Sequence, residues 1–119
     1  MTDIYIFKKK DLYYGFEMDG HADFSKENDI LCASLSILSM NTPNSIEKIC
    51  SIDSKDLNLE VRDGYLKMMI DIEKFDETKI RDVQTIIKTF EVGIISLKEV
   101  YNKYIEKIFE NHKRKKYGI

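Results

Sequence analysis

The feature that most constrains the fold is a long amphipathic pattern in the C-terminal half of the chain. Between residues 76 and 113, apolar side chains recur alternately three and four positions apart, which is the spacing of one face of an α-helix. A helix this long exceeds what one small core covers, so we expect part of its seam to pack against a second copy of the chain. Gly93 predicts either a close crossing with another element or a break into two helices.

Two β-hairpins are predicted in the rest of the chain. Residues 3–7 and 12–18 read as strands around a polar turn, because residues 12–18 in particular are dense in tyrosine, phenylalanine and leucine. Residues 57–61 alternate apolar with polar side chains, Asp63 and Gly64 supply turn chemistry, and residues 65–72 return. With the helices, this order predicts an α+β fold in which both hairpins form one sheet.

A buried helix is predicted between the hairpins. Residues 30–40 are apolar at nearly every position, and Asp29 is a suitable N-cap residue for a helix that starts there. Asn41, Thr42 and Pro43 predict an interruption, after which residues 45–50 add a further turn or two.

Length and charge restrict the class of protein. The 119 residues fit a single domain, residues 1–119. The net charge of −2 is not the positive charge typical of a nucleic-acid binder. The basic run at 112–116 fits a helix end, so no direct nucleic-acid binding is expected. No apolar run approaches the ~20 residues that span a bilayer, and no secretion signal is indicated. We therefore expect no membrane association, a cytoplasmic location, and Cys32 and Cys50 as free thiols.

Cys32 and His21 are the strongest candidates for chemistry. If Asp29 caps the helix, Cys32 is the third helical residue, where unpaired backbone N–H groups and the positive end of the helix dipole stabilise a thiolate. His21 follows Gly20 at the end of the second strand, eleven positions before Cys32, and the loop can double back far enough for contact. An imidazole beside this thiol could serve as the base of a cysteine protease.

Other assignments stay open on spacing alone. Cys32 could be a small buried apolar residue, and Ser36, on the same helix face, could orient a polar group or bond back to its own helix. Cys50 and His112 are predicted to have no catalytic role. A zinc site built from both cysteines and both histidines lacks paired ligand spacing, so no metal or other cofactor is expected.

Two short runs surround these side chains: Gly20-His21-Ala22 and, after a loop, Asp29-Ile30-Leu31-Cys32-Ala33-Ser34-Leu35-Ser36. They resemble the signature of the ribosomal-processing cysteine protease family, Prp, which reads Gly-His-Ala, a loop, then Asp-Ile-Val-Cys-Ala-Ala-x-Ser. Gly93 and the segment after it also resemble that family's C-terminal helix, so the resemblance covers almost the whole chain. The loop departs from the family, since Glu27 and Asn28 stand where a glycine is usual and the loop is one residue shorter.

The resemblance implies a cysteine endopeptidase with Cys32 as nucleophile and His21 as general base. Gly20, Asp29, Ala33 and Ser36 would be supporting residues, and residues 23–28 a mobile cover. We also infer that backbone N–H groups at the helix start could hold the oxyanion.

The implied substrate is the precursor of bacterial large ribosomal subunit protein twenty-seven, whose short N-terminal extension is cut after a hydrophobic, phenylalanine-containing motif. The family is also dimeric, which implies a homodimer. The alternatives are a non-catalytic ribosome-associated or assembly factor whose basic tail, residues 113–116, touches RNA, and a thiol enzyme acting on another acyl substrate.

Overall fold

Two β-hairpins and two long helices make up most of the computed structural model, which describes residues 2–20, 26–101, 109–110 and 114–118. The elements are β1 (Thr2–Lys9), β2 (Leu12–Gly20), α1 (Lys26–Ile49), β3 (Glu60–Arg62), β4 (Tyr65–Met69), α2 (Glu77–Val100), β5 (Phe109–Glu110) and β6 (Arg114–Gly118). Short 3₁₀ helices at Ser54–Leu57 and Ile72–Lys74 connect some of them. The predicted α+β fold is confirmed. Within these ranges, neither α1 nor α2 combines the length and apolar character needed to cross a membrane.

The sheet has the strand order β3-β4-β2-β1-β6-β5, and every neighbouring pair is antiparallel. Lys10 and Asp11 close the first hairpin with φ angles of 50° and 64°, the left-handed conformation that suits a two-residue turn between twisted strands. Asp63 and Gly64 close the second, with Arg62 paired to Tyr65, as the turn chemistry predicts. Pairing of β2 with β4 joins the hairpins into one surface.

The core lies between the two helices and one face of the sheet. Ile4, Ile6, Phe16 and Met68 from the sheet are fully buried, and the rings of Phe16 and Phe90 lie 4.3 Å apart. The helices contribute the buried residues Leu31, Leu35, Ile46, Val83, Ile87, Phe90 and Ile94. Because these α2 residues are the predicted seam, the chain's own sheet fills that seam. Burial within one molecule therefore removes the argument for a second copy along the described part of this stripe, and the homodimer itself stays a prediction.

A polar pair inside this core fixes α2 against β2. The Gln84 side chain accepts a hydrogen bond from the Tyr13 backbone N–H at 2.6 Å and donates one to the Tyr13 carbonyl at 2.7 Å. The Tyr13 hydroxyl donates to Glu91 at 3.1 Å. Buried backbone groups are costly to leave unpaired. Gln84 therefore fixes the position of α2 along β2 as well as filling space in the core.

The helix that carries Cys32 differs from the prediction at both ends. It begins at Lys26, so Asp29 lies inside it and is not its N-cap. It also runs through Pro43 to Ile49 without a break. Proline removes one helical hydrogen bond, but Thr42 and Pro43 are both buried, and packing of this face outweighs that loss.

The C-terminal helix is also shorter than the sequence predicts. The helix α2 ends at Val100, where the Tyr101 backbone N–H bonds the Leu97 carbonyl, and β5 and β6 follow. The basic residues of β6 thus belong to a strand, while residues 102–108 and 111–113 lie outside the described ranges. β6 pairs with β1, which would otherwise be an open sheet edge. Gly93 marks a close crossing, since a Cβ there would lie 2.9 Å from Leu38 Cδ2.

Candidate active site

A groove of about 240 Å³ lies between α1 and the hairpin ends at one side of the sheet. One wall is α1, which contributes Cys32, Leu35, Ser36, Ser39 and Met40. The other wall comes from strand ends and from the β3–β4 turn and includes Thr2, Met18, Gly20, Val61, Arg62, Asp63, Gly64, Tyr65 and Leu66. The groove is mainly apolar and brings together residues from distant parts of the sequence.

Cys32 is half-buried in this groove and is a free thiol. Because α1 starts at Lys26, Cys32 falls in its second turn, and its backbone N–H is not among the four that lack an intrahelical partner. The effect of the helix dipole also falls off within the first turn. The helix-start argument for a stabilised thiolate, and for oxyanion donors next to Cys32, is therefore wrong in this fold.

Gly20 is the described residue nearest in sequence to His21, and it too lines the groove. Its φ of 130° lies in a region that side chains rarely adopt, and its backbone N–H donates to the Gly64 carbonyl at 2.8 Å. His21 itself lies outside the described residues. The structure therefore brings Gly20 and Cys32 to one groove, and Gly20 is the residue directly before His21 in the sequence.

The other predicted supporting residues have different positions. Ser36 is exposed and lines the groove one helical turn after Cys32, and its backbone carbonyl accepts the Ser39 hydroxyl at 3.1 Å. Ala33 is exposed and is not part of the groove lining that the described residues form. Asp29 lies near the start of α1, with its side chain outside the described part of the structure. Among the members of this group whose side chains the structure describes, Gly20 and Ser36 join Cys32 in the groove.

Sequence reasoning missed the contribution of the second hairpin to this site. The Tyr65 hydroxyl donates to Glu17 Oε2 at 2.7 Å, and the Arg62 guanidinium stacks 3.8 Å over the Tyr65 ring. Burial and the hydrogen bond to Glu17 raise the pKa of Tyr65 to about 12. The Asp63-Gly64 turn was the available signal, but its position beside Gly20 depends on β2 pairing with β4, which local sequence does not reveal.

Cys50 lies at the far end of α1, about 27 Å along the helix axis from Cys32 at 1.5 Å per residue. The two thiols are therefore too far apart for a disulfide within the molecule. Burial raises the pKa of the Cys50 thiol, Asp82 raises it further and Lys79 opposes the change. Among residues with described positions, no three histidine, cysteine, aspartate or glutamate side chains converge as metal ligands do.

Comparison with known proteins supports this fold. Residues 1–106 match the family model described as cysteine protease Prp. SMU.848 from Streptococcus mutans is 28% identical with a TM-score of 0.65, and the match covers 84% of this chain and 87% of that one. The essential ribosomal processing protease Prp from S. aureus, in complex with a substrate peptide, is 24% identical with a TM-score of 0.65, covering 84% and 92%. A search of curated proteins found no match.

Proposed function

This chain belongs to the cysteine protease Prp family, and from that membership we propose that Cys32 is its nucleophile and His21 its general base. The observation that carries the assignment is the shared groove, where the thiol of Cys32 and the residue before His21 lie on facing walls. A nucleophile has to be accessible, and Cys32 is half-buried with an open groove beside it, whereas Cys50 is 4% exposed.

The chemistry follows from these two roles. His21 removes the thiol proton, and the Cys32 sulfur attacks the scissile carbonyl to form a tetrahedral intermediate. The C–N bond then breaks, the leaving amine takes the proton from His21, and a thioester remains on Cys32. Water, deprotonated by His21, hydrolyses the thioester and returns the free enzyme.

The substrate we propose is the precursor of bacterial large ribosomal subunit protein twenty-seven. The enzyme would remove its short N-terminal extension in the cytoplasm, cutting after a hydrophobic, phenylalanine-containing motif. Three observations support this substrate: the signature around His21 and Cys32, the ribosomal processing role stated for the S. aureus relative, and the apolar lining supplied by Met18, Leu35 and Met40. An apolar groove favours an apolar side chain next to the cut.

The enzyme would act as a homodimer through an apolar surface formed by both helices. Ile30 and Ile37 on α1, and Val92 and Val100 on α2, are 57%, 69%, 63% and 72% exposed. Ile37 and Val100 line one groove between the two helices, and exposed apolar side chains of this kind mark interaction sites. Ile37→Asp should therefore give a monomer in sedimentation analysis, whereas Ile49→Asp, at a residue 68% exposed near the helix end, should not. A monomeric wild type, or equal behaviour of both variants, would count against this surface.

Peptide cleavage tests the catalytic assignment. A peptide spanning the precursor cleavage site is incubated with wild type, Cys32→Ala, His21→Ala and the control Cys50→Ala. We expect cleavage to vanish in Cys32→Ala, to fall at least about a hundredfold in His21→Ala, and to persist in Cys50→Ala. Cleavage that survives in Cys32→Ala would refute the nucleophile. A folded wild type that binds ribosomes but cuts nothing would favour the non-catalytic assembly factor.

A further inference from the structure

The strand β3 lies at one edge of the sheet, beside the groove that contains Cys32. It has three residues, Glu60–Arg62, and all of them are exposed. One side of β3 pairs with β4, and no described strand pairs with the other side. A strand edge of this kind can pair with the backbone of an extended peptide.

The register identifies which residue of β3 directs its backbone groups toward the free edge. Gly20 donates to the Gly64 carbonyl, so the Gly20–Gly64 position is hydrogen-bonded between β2 and β4. Backbone groups alternate in direction along a strand, so those of Tyr65 point to β3 and those of Leu66 point to β2. Val61 is opposite Leu66, and its N–H and carbonyl therefore point away from β4 to the free edge.

The side chain of the same residue faces the groove. Val61 is opposite Leu66 on β4, and Leu66 is opposite Met18 on β2, so the three side chains form a row on one face of the sheet. All three line the groove with Cys32. Leu66 is buried at 3% exposure, whereas Val61 is 55% exposed, so the row is open at the β3 end.

We propose that the substrate peptide binds as an added strand on β3. Its backbone exchanges hydrogen bonds with the N–H and carbonyl of Val61, and one apolar side chain packs on the row of Val61, Leu66 and Met18. This places an extended chain along the groove wall opposite Cys32. Strand addition supplies affinity through backbone hydrogen bonds and specificity through alternate side chains. The inference rests on the proposed peptidase function and specifies how that site holds its substrate.

The substitution Val61→Pro tests the backbone contact. Proline removes the outward N–H of Val61 but no hydrogen bond of the β3–β4 ladder, because that N–H points away from β4. The control Val61→Ile keeps the N–H and the apolar side chain. With the precursor-site peptide, we expect kcat/KM to be about tenfold lower in Val61→Pro than in Val61→Ile, mainly through KM.

Amide hydrogen exchange gives a second measurement that needs no change to β3. In Cys32→Ala, which binds without cutting, adding the same peptide should slow exchange of the Val61 amide at least about tenfold. This measurement decides the question alone if Val61→Pro fails to fold. Strand addition would be overturned if wild type cleaves normally and both Val61 variants have equal kcat/KM. It would also be overturned if wild type cleaves normally and the peptide does not slow exchange of the Val61 amide. In either case the proposed protease function would stand. A wild type that neither binds nor cuts the peptide would overturn both proposals.

Discussion

The backbone N–H of Gly20 donates a hydrogen bond to the Gly64 carbonyl at 2.8 Å, which ties the residue before His21 to the turn between β3 and β4. That turn forms one wall of the groove whose other wall contains Cys32. The hydrogen bond fixes where the chain enters the loop after β2. Changes at Gly20 should therefore act on the reaction as well as on stability.

We expect Gly20→Ala to lower both stability and activity. At a φ of 130° a side chain is strained, which costs about 1–3 kcal/mol in unfolding free energy. The activity loss should exceed the loss of folded protein, because the shifted chain displaces His21. The control Gly64→Asn keeps the carbonyl, and asparagine tolerates its φ of 69°. Urea denaturation and kcat/KM for the peptide measure the two effects, and full activity in Gly20→Ala would contradict the role of this tether.

Alkylation should distinguish the two thiols. Burial raises the pKa of Cys50 and keeps it protonated, whereas Cys32 is half-buried in an open groove. With iodoacetamide at about pH 6.5, we expect Cys32 to react at least about tenfold faster than Cys50. Mass spectrometry of the digested protein gives both rates in one sample. Equal rates would mean that Cys32 is not activated.

Substitution by alanine should destabilise the protein far more at Gly15 than at Gly93. A Cβ at Gly15 would lie 2.0 Å from the Met68 backbone oxygen, and the paired strands cannot separate locally. At Gly93 the nearest atom is the flexible end of Leu38, and alanine gains about 1 kcal/mol of helix propensity. We expect Gly15→Ala to lose more than about 3 kcal/mol and Gly93→Ala to stay within about 1 kcal/mol of wild type. Urea denaturation measures both unfolding free energies, and a larger loss of stability in Gly93→Ala than in Gly15→Ala would refute this account.

Tyr65 should make stability depend on pH in the alkaline range. Its pKa is raised to about 12 in the folded protein, against about 10 in an unfolded chain. The unfolded state therefore releases the proton first, and the stabilisation from the neutral hydroxyl is complete below about pH 10 and lost as pH rises toward 12. The stability difference between wild type and Tyr65→Phe should shrink between about pH 10 and about pH 12 in urea denaturation. A difference independent of pH would contradict the bond to Glu17.

Local signals in the sequence identified the hairpins and the apolar face of α2, because turn chemistry and helical spacing act over a few residues. These local signals failed where the structure of a segment depends on contacts with residues distant in the sequence. Asp29 is a good cap in isolation, but residues 26–28 tolerate a helix and extend it. The predicted helix also ends early: α2 stops at Val100, and Phe109–Glu110, within the predicted helical range, pair with β6 as β5.

The same distinction applies to the site. The sequence predicted that a short loop lets His21 reach Cys32, and that contact stays a prediction, although Gly20 and Cys32 line one groove. The positions of Val61 and Tyr65 in the groove arise from β2 pairing with β4. That pairing joins residues nearly fifty positions apart, such as Met18 and Leu66. No local pattern around Asp63 and Gly64 reveals which strand lies beside their hairpin.

The placement of Cys32 and Cys50 at opposite ends of α1 has a consequence for oxidative damage. The chain contains only these two cysteines, so a sulfenic acid formed at Cys32 has no second thiol within reach to convert it into an internal disulfide. Recovery from mild oxidation must therefore come from an outside reductant such as a small thiol, and without one the Cys32 sulfur is exposed to further, irreversible oxidation.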